Sequence, residues 1–205
     1  MIAFLHTIAS NADKFEKLVR QYDDKVVVKH FVNEQLLTTA LRTGEVDFQL
    51  FKSEIVNIKK EQPSLVICSC STYGEASDQE GGVARIDRPI AEYLVNSYKK
   101  IGMAYAASST HKASQKLLLD SATVINKAVE IIPIDCTDCW QFFEAGQQDE
   151  YEKGIAQKIE HLSTEVDVVF LAQASMEGAK RHLKLFEREI LTSPDYGVKE
   201  LLKEI

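Results

Sequence analysis

Short apolar runs alternate with longer amphipathic stretches along the whole chain, and this alternation restricts the fold more than any other feature of the sequence. A parallel strand covered on both faces reads as a continuous apolar run. The crossover helix that joins two such strands reads as a longer stretch with one apolar side. The pattern predicts strands at Ile2–His6, Val26–Phe31, Leu65–Cys68, Ile101–Ala106, Val129–Ile134 and Val166–Ala172, with short ones at Ala84–Ile86 and Ile190–Leu191. It predicts helices at Ala12–Tyr22, Glu34–Arg42, Asp47–Lys60, Pro89–Lys99, Ser114–Lys127, Glu150–Leu162, Glu177–Glu187 and Tyr196–Lys203. Pro89 and Pro194 fall near helix starts, where a missing N–H costs little. The class is α/β with parallel sheet.

The pattern nearly repeats. Ile2-Ala3-Phe4-Leu5-His6-Thr7 opens the first half, and Ile101-Gly102-Met103-Ala104-Tyr105-Ala106 opens the second in the same style. Leu65-Val66-Ile67-Cys68-Ser69-Cys70-Ser71-Thr72 matches Val168-Val169-Phe170-Leu171-Ala172-Gln173-Ala174-Ser175 in residue type. Cys70 follows Ile2 by 68 positions and Gln173 follows Ile101 by 72. Two similar units at similar spacing predict two pseudo-symmetric halves of flavodoxin-like or Rossmann-like type, residues 1–98 with 188–205 and residues 99–187, with an active-site cleft between them. Each half places a polar turn at the carboxyl end of a buried strand, where open α/β sheets bind ligands. One turn carries a thiol, Cys70, and the other a carboxamide, Gln173.

Composition narrows the partners. The 205 residues are 45% hydrophobic and 27% charged, which is ordinary for a globular chain with ample core. A formal net charge of −7 argues against nucleic acid or an anionic membrane surface, since both require a basic face. No apolar run approaches the roughly 20 residues that span a bilayer. The opening Met1-Ile2-Ala3-Phe4-Leu5 lacks the basic segment of a signal peptide. With four cysteines and no such signal, the expected setting is the cytoplasm with reduced thiols.

At the two turns the sequence becomes recognisable. Cys68-Ser69-Cys70-Ser71-Thr72 resembles the first cysteine turn of cofactor-independent amino-acid racemases, in which a cysteine precedes a small polar residue and a hydroxyl residue. Ala84-Arg85-Ile86-Asp87-Arg88-Pro89, Leu171-Ala172-Gln173-Ala174-Ser175-Met176 and Leu191-Thr192-Ser193-Pro194 resemble later segments of one branch of the same group, the aspartate/glutamate/hydantoin racemase superfamily. This superfamily includes maleate isomerases and arylmalonate decarboxylases. The resemblance covers nearly the whole chain. It implies chemistry at a carbon beside a carboxylate, a small carboxylate-bearing substrate, no cofactor, no metal, and a homodimer.

Carried over by position, the resemblance makes Cys70 the base or nucleophile. Removing a proton beside a carboxylate creates enediolate charge, which fixed N–H groups stabilise well. The base must be a thiolate near neutral pH, and a helix start after the turn would favour one. Backbone and hydroxyl groups of Ser71, Thr72, Ala174, Ser175 and Met176 are the implied carboxylate ligands. His6 and Thr7 stand where glutamate racemases resemble this chain with an aspartate and a serine. Thr7 is therefore a substrate contact, and His6 either tunes Cys70 or contacts substrate, its alternative being a histidine satisfied in the core. Ser109 and Thr110 belong to a segment, Ser108–Ser114, that corresponds to a hydroxyl-rich substrate loop, with helix capping as the competing use. His111 and His182 follow the turn regions of the second half, and His30 and His161 show no metal spacing.

Gln173 separates the readings. A racemase needs an acid/base group on each face of the carbon, and a carboxamide exchanges no proton at neutral pH. A racemase or isomerase acting through Cys70, a single-cysteine decarboxylase of arylmalonate type, and a non-catalytic carboxylate-binding protein all remain open at this point. Cys136-Thr137-Asp138-Cys139 is a C-x-x-C that could serve redox chemistry or half of a zinc site, but the usual second C-x-x-C is absent. Tyr151 replaces a histidine that the resembling branch carries.

Overall fold

The computed structural model describes residues 1–161 and 165–204, which fall into two compact units, Met1–Pro89 with Pro194–Ile205, and Ile90–Ser193. In the first unit run β1 (Ile2–His6), α1 (Ser10–Tyr22), β2 (Val28–Val32), α2 (Glu34–Thr43), α3 (Phe48–Lys59) and β3 (Leu65–Cys68). A 3₁₀ turn, Ser71–Tyr73, then leads into α4 (Gly74–Gln79), β4 (Val83–Arg85) and the start of α5 (Arg88–Ser97). The second unit holds β5 (Lys100–Tyr105), α6 (Ser108–Val124), β6 (Glu130–Asp135), α7 (Trp140–Glu144), α8 (Gln148–Glu160), β7 (Val168–Leu171) and β8 (Glu189–Thr192). A 3₁₀ run, Ala174–His182, joins β7 to β8, and α9 (Ser193–Leu201) completes the first unit.

Each unit is a four-stranded parallel sheet, ordered β2-β1-β3-β4 in the first and β6-β5-β7-β8 in the second. The two orders are the same topology repeated. Leu5 stands opposite Cys68, and Ala104 stands opposite Leu171. The α/β class and the pair of parallel-sheet halves read from the sequence are therefore the observed architecture.

The central strands form because their residues are apolar on both faces. All five residues of β1 are buried. Ala3, Leu5, Val66 and Cys68 face a cluster with Leu36, Phe51, Ile55 and Tyr73. Phe4 and His6 point the other way and meet Phe15 of α1. That helix buries Asn11, Phe15 and Val19, a spacing of four that keeps one side inward. Asn33 accepts a hydrogen bond from the Gln35 N–H at the start of α2, and Gly44 ends it in the left-handed region at φ 76°. Asp47 caps α3 through the Leu50 N–H at 2.9 Å. No helix among the described residues is long and apolar enough to cross a membrane.

Several boundaries differ from the sequence expectation. β8 pairs with β7, so residues 189–192 join the second sheet rather than the half formed by 1–98 and 188–205. The join between units lies within the first turn of α5, at Pro89 and Ile90. α6 begins at Ser108 instead of Ser114, and the segment expected as a helix over Glu177–Glu187 is a 3₁₀ run that starts at Ala174. α4 and α7, six and five residues long, are too short for periodicity to reveal. Leu162, the predicted end of one helix, and Ile205 lie outside the described residues.

Candidate active site

Cys70 follows directly on β3 and Ser69, in extended backbone at φ −103° and ψ 111°, before the chain tightens into the Ser71–Tyr73 turn. The Tyr73 N–H closes that turn on the Cys70 carbonyl at 3.0 Å, and the Ser69 N–H donates to Leu5 O at 3.0 Å. Side chains alternate along a strand, so Cys70 continues the face of Val66 and Cys68. Leu5 is on that face too, and Thr7 carries it past the end of β1. The consequence is direct: the Thr7 hydroxyl, the Thr72 hydroxyl and the main-chain N–H groups of Thr72 and Tyr73 lie near enough to the Cys70 sulfur to favour its charged form.

These donors work against burial. Removal from water pushes the Cys70 thiol up, because the charged form loses solvation, and the four contacts named offset only part of this, so the thiol stays above its ordinary value. Cys70 is half-buried, the most open of the cysteines. Cys68, fully buried beside it, is pushed up to about 12 by burial and by its neighbour, and its thiol donates to the Cys70 carbonyl at 3.7 Å.

His6 takes no part in this cluster. It shares the face of Phe4, opposite to Thr7, and its ring is wholly buried. Its Nδ1 lies 2.7 Å from Ser69 Oγ and its Nε2 2.8 Å from His30 Nδ1, while His30 Nε2 reaches Glu16 at 3.0 Å. Burial, with the adjacent His30, lowers His6 to about 3, so it is neutral in the fold. The expected partnership of His6 with Cys70 is replaced by a polar chain through the other face of the sheet. On the sequence alone Ser69 received no role and His30 was weighed only for a metal site, although strand alternation was signal enough to pair His6 with Ser69 and Thr7 with Cys70.

The second turn is built on the same frame. The Ala172 N–H donates to Ala104 O at 2.9 Å and the Met176 N–H to Gln173 O at 3.1 Å, as Ser69 and Tyr73 do in the first unit. Gln173 is thus the register equivalent of Cys70. Its side-chain oxygen accepts from the N–H groups of Ala106 and Ala107, both at 2.7 Å. Those bonds hold Ala107 extended, at φ −100° and ψ 127°, so α6 starts at once with Ser108. Ser109 and Thr110 consequently lie in the first turn of a helix rather than in a loop, with Thr110 buried and Ser109 half-buried. Ala174 and Ser175 are half-buried and Met176 is buried. Ser175 Oγ is 3.0 Å from the hydroxyl of Tyr151, which explains what the tyrosine does in α8.

The remaining sequence candidates are placed elsewhere. His111 stacks on Tyr105 with ring centroids 4.3 Å apart, and His182 lies 3.5 Å from Asp149. Cys136 and Cys139 are buried free thiols, pushed up to about 12 and about 11 by burial, with the Lys158 charge the main opposing influence. Among the described residues, no group of three or more His, Cys, Asp or Glu side chains is arranged to hold a metal.

No family model and no curated protein matches the sequence. Solved structures do match the fold. A glutamate racemase from Francisella tularensis, determined in complex with D-glutamate, superposes with a TM-score of 0.78 at 12% identity, over 99% of this chain and 79% of its own. The aspartate racemase of Picrophilus torridus gives 0.75 at 13% identity, over 99% and 93%. The allantoin racemase of Pseudomonas fluorescens gives 0.57 at 12% identity, over 99% and 90%. The chain therefore has the two-unit α/β fold of the aspartate, glutamate and hydantoin-type racemases.

Proposed function

We propose that this chain is a cofactor-independent enzyme of racemase or isomerase type that acts on a small carboxylate-bearing substrate at the carbon beside the carboxylate. The observation that carries the reading is the convergence of two hydroxyls and two backbone N–H groups on the half-buried sulfur of Cys70. An inert core cysteine has no use for such donors. A thiolate that must persist in a partly dry site does. The fold adds weight, since the solved proteins that share it include racemases of glutamate and aspartate.

In this reading the Cys70 thiolate removes the α-proton. The C–H electron pair moves into the carboxylate as an enediolate, and the proton stays on sulfur. Hydroxyl and N–H groups of Ser71, Thr72, Ala174, Ser175 and Met176 are the proposed carboxylate ligands, with Thr7, Ser109 and Thr110 as further contacts. His6 is left out of proton transfer, because both ring nitrogens are engaged on the opposite face. Gln173 cannot return a proton, so exchange of the α-hydrogen should outrun net inversion.

A second reading has its own support in Gln173. A single-thiol decarboxylase of arylmalonate type needs one proton donor: the C–C bond to a carboxylate breaks, CO2 leaves, and the enediolate takes the thiol proton. A carboxamide at the second turn, with its oxygen already engaged, suits that economy.

Incubation of amino acids, hydantoins and malonates in D2O, followed by NMR, separates the two. Deuterium at the α-carbon with substrate conserved supports the first reading, and loss of CO2 with one deuterium incorporated supports the second. Cys70→Ser should lower either rate by at least roughly a thousandfold and leave stability nearly unchanged, since a serine hydroxyl is too weak an acid to replace a thiolate. Retained turnover in that variant removes Cys70 from the chemistry.

A further inference from the structure

Arg85, the last residue of β4, is paired in register with Cys68 and is buried. Its Nε and Nη2 donate to the two oxygens of Asp87 at 2.7 and 3.1 Å, and its Nη1 donates to Asp78 in α4 at 2.9 Å. Asp87 is fully buried, and Asp78 also receives Arg88 Nη2 at 2.6 Å. The guanidinium is therefore locked in one place by a bidentate pair and a third bond.

Gly74 shows what that lock is against. A Cβ added there would stand 2.1 Å from Arg85 Nη2 and 2.2 Å from Cζ. The backbone of Gly74 is ordinary right-handed helix, φ −61° and ψ −46°, so no conformational reason calls for glycine. Alanine would be favoured there by about 1 kcal/mol of helix propensity. The missing methyl is instead what lets the guanidinium lie against the main chain one residue after Tyr73. On its other side Tyr73 is tied into the core, its hydroxyl donating to Leu36 O at 3.0 Å. The Cys70–Tyr73 turn is thus gripped between a core tyrosine and a buried guanidinium.

We propose that Arg85 is a positioning residue for Cys70: by packing on Gly74 it holds the Thr72 and Tyr73 N–H groups aimed at the sulfur. The proposal rests on the reading that Cys70 is the working thiol, and it concerns how that thiol is kept usable rather than which substrate it meets. Arg85 is not expected to touch substrate, because its guanidinium is wholly engaged with Asp87, Asp78 and Gly74.

Two perturbations test it by different routes. Arg85→Met alone would strand the buried Asp87 charge and risk unfolding, so it is combined with Asp87→Leu, which removes both partners together. Gly74→Ala keeps every charge and pushes on the guanidinium sterically. Arg88→Met, which loses the exposed contact to Asp78 and leaves Arg85 and Asp87 in place, is the control. The readouts are Cys70 alkylation by iodoacetamide across pH, mapped by mass spectrometry, and hydrogen exchange at the Thr72 and Tyr73 amides.

Expected are an upward shift of the Cys70 profile, so that alkylation at pH 8 slows about tenfold, and loss of protection at both amides. Cys136 and Cys139 should keep their wild-type rates, as should Cys70 in the control. If the double variant unfolds, Gly74→Ala decides alone. A Cys70 rate at pH 8 that is unchanged or faster, with both amides still protected, overturns the proposal and leaves Arg85 as a sheet-edge ion pair. A wild-type Cys70 that titrates like an exposed cysteine would instead undercut the proposed function, while the amide protection still reports on positioning.

Discussion

The turns at Cys70 and Gln173 share one frame and use it for opposite purposes. In both, the residue before the key side chain donates to the neighbouring central strand, and the residue three further on closes the turn. In the first unit, neighbouring hydroxyls and N–H groups converge on the side chain, a half-buried sulfur at the edge of the core. In the second unit, the side chain converges on the frame, and its oxygen fixes the start of α6. Even the glycine behind each turn follows the contrast. A Cβ at Gly74 would meet a buried guanidinium, and one at Gly178 would meet the Glu152 carboxylate. A duplicated scaffold therefore preserves hydrogen-bond geometry while one copy presents a half-buried thiol and the other holds itself together.

The largest effect expected from breaking this contrast lies at Gln173. Gln173→Ala leaves two buried N–H groups without a partner, which should cost about 3 kcal/mol, on the order of 10 °C in the melting of the second unit. Gln173→Cys, the change that the family resemblance suggests would supply a second thiol, loses the same two bonds and should be similarly destabilised. Calorimetry on both variants checks this. Near-native melting of Gln173→Ala would mean that the carboxamide is free for other work.

A smaller and pH-dependent effect is expected at His6. Its folded pKa is depressed to about 3, below the ordinary value of 6.5. The unfolded chain therefore takes up a proton that the folded chain refuses as pH falls between those values. Stability contributed by the neutral ring is intact above about pH 6.5 and is lost towards pH 3, by up to about 1.4 kcal/mol per pH unit. His6→Gln should flatten that part of the stability profile in urea titrations while leaving Cys70 alkylation unchanged. An altered Cys70 profile would return His6 to the thiol's company.

The smallest effect is expected at Thr7. Thr7→Val keeps the shape and removes one hydroxyl from the sulfur. A bond worth about 1 kcal/mol corresponds to roughly fivefold less thiolate near neutral pH, readable in the alkylation rate. No change would mean that Thr7 touches Cys70 without influencing it.

Much of this was legible in the sequence because apolar runs report burial. β1 and β3 have the bounds expected, and the repeat that aligned Cys70 with Gln173 is the register of two equivalent sheets. What escaped were features decided by a single distant bond. The start of α6 depends on the Gln173 oxygen holding Ala106 and Ala107, which lie 67 and 66 residues away in the chain. Residues 189–192 were divided wrongly between the halves because a short edge strand carries little pattern of its own. His6 was linked to Cys70 or to substrate by the family resemblance, although alternation along β1 assigns the place beside Cys70 to Thr7. The helix start expected to favour the thiolate is a 3₁₀ turn and a six-residue helix, so individual donors rather than a long dipole face the sulfur.

The central claim is that Cys70 is the one thiol set up for chemistry among four. Limited alkylation with iodoacetamide at a series of pH values, with each cysteine followed by mass spectrometry, tests it directly. Burial raises all four thiols, but Cys70 is half-buried with four donors opposing the rise, whereas Cys68, Cys136 and Cys139 are buried and pushed up to about 12, about 12 and about 11. The predicted result is that Cys70 is modified first at every pH from 6 to 9, with the other three unmodified while the protein stays folded. Faster labelling of Cys136 or Cys139 would contradict the account and move attention to the C-x-x-C of the second unit.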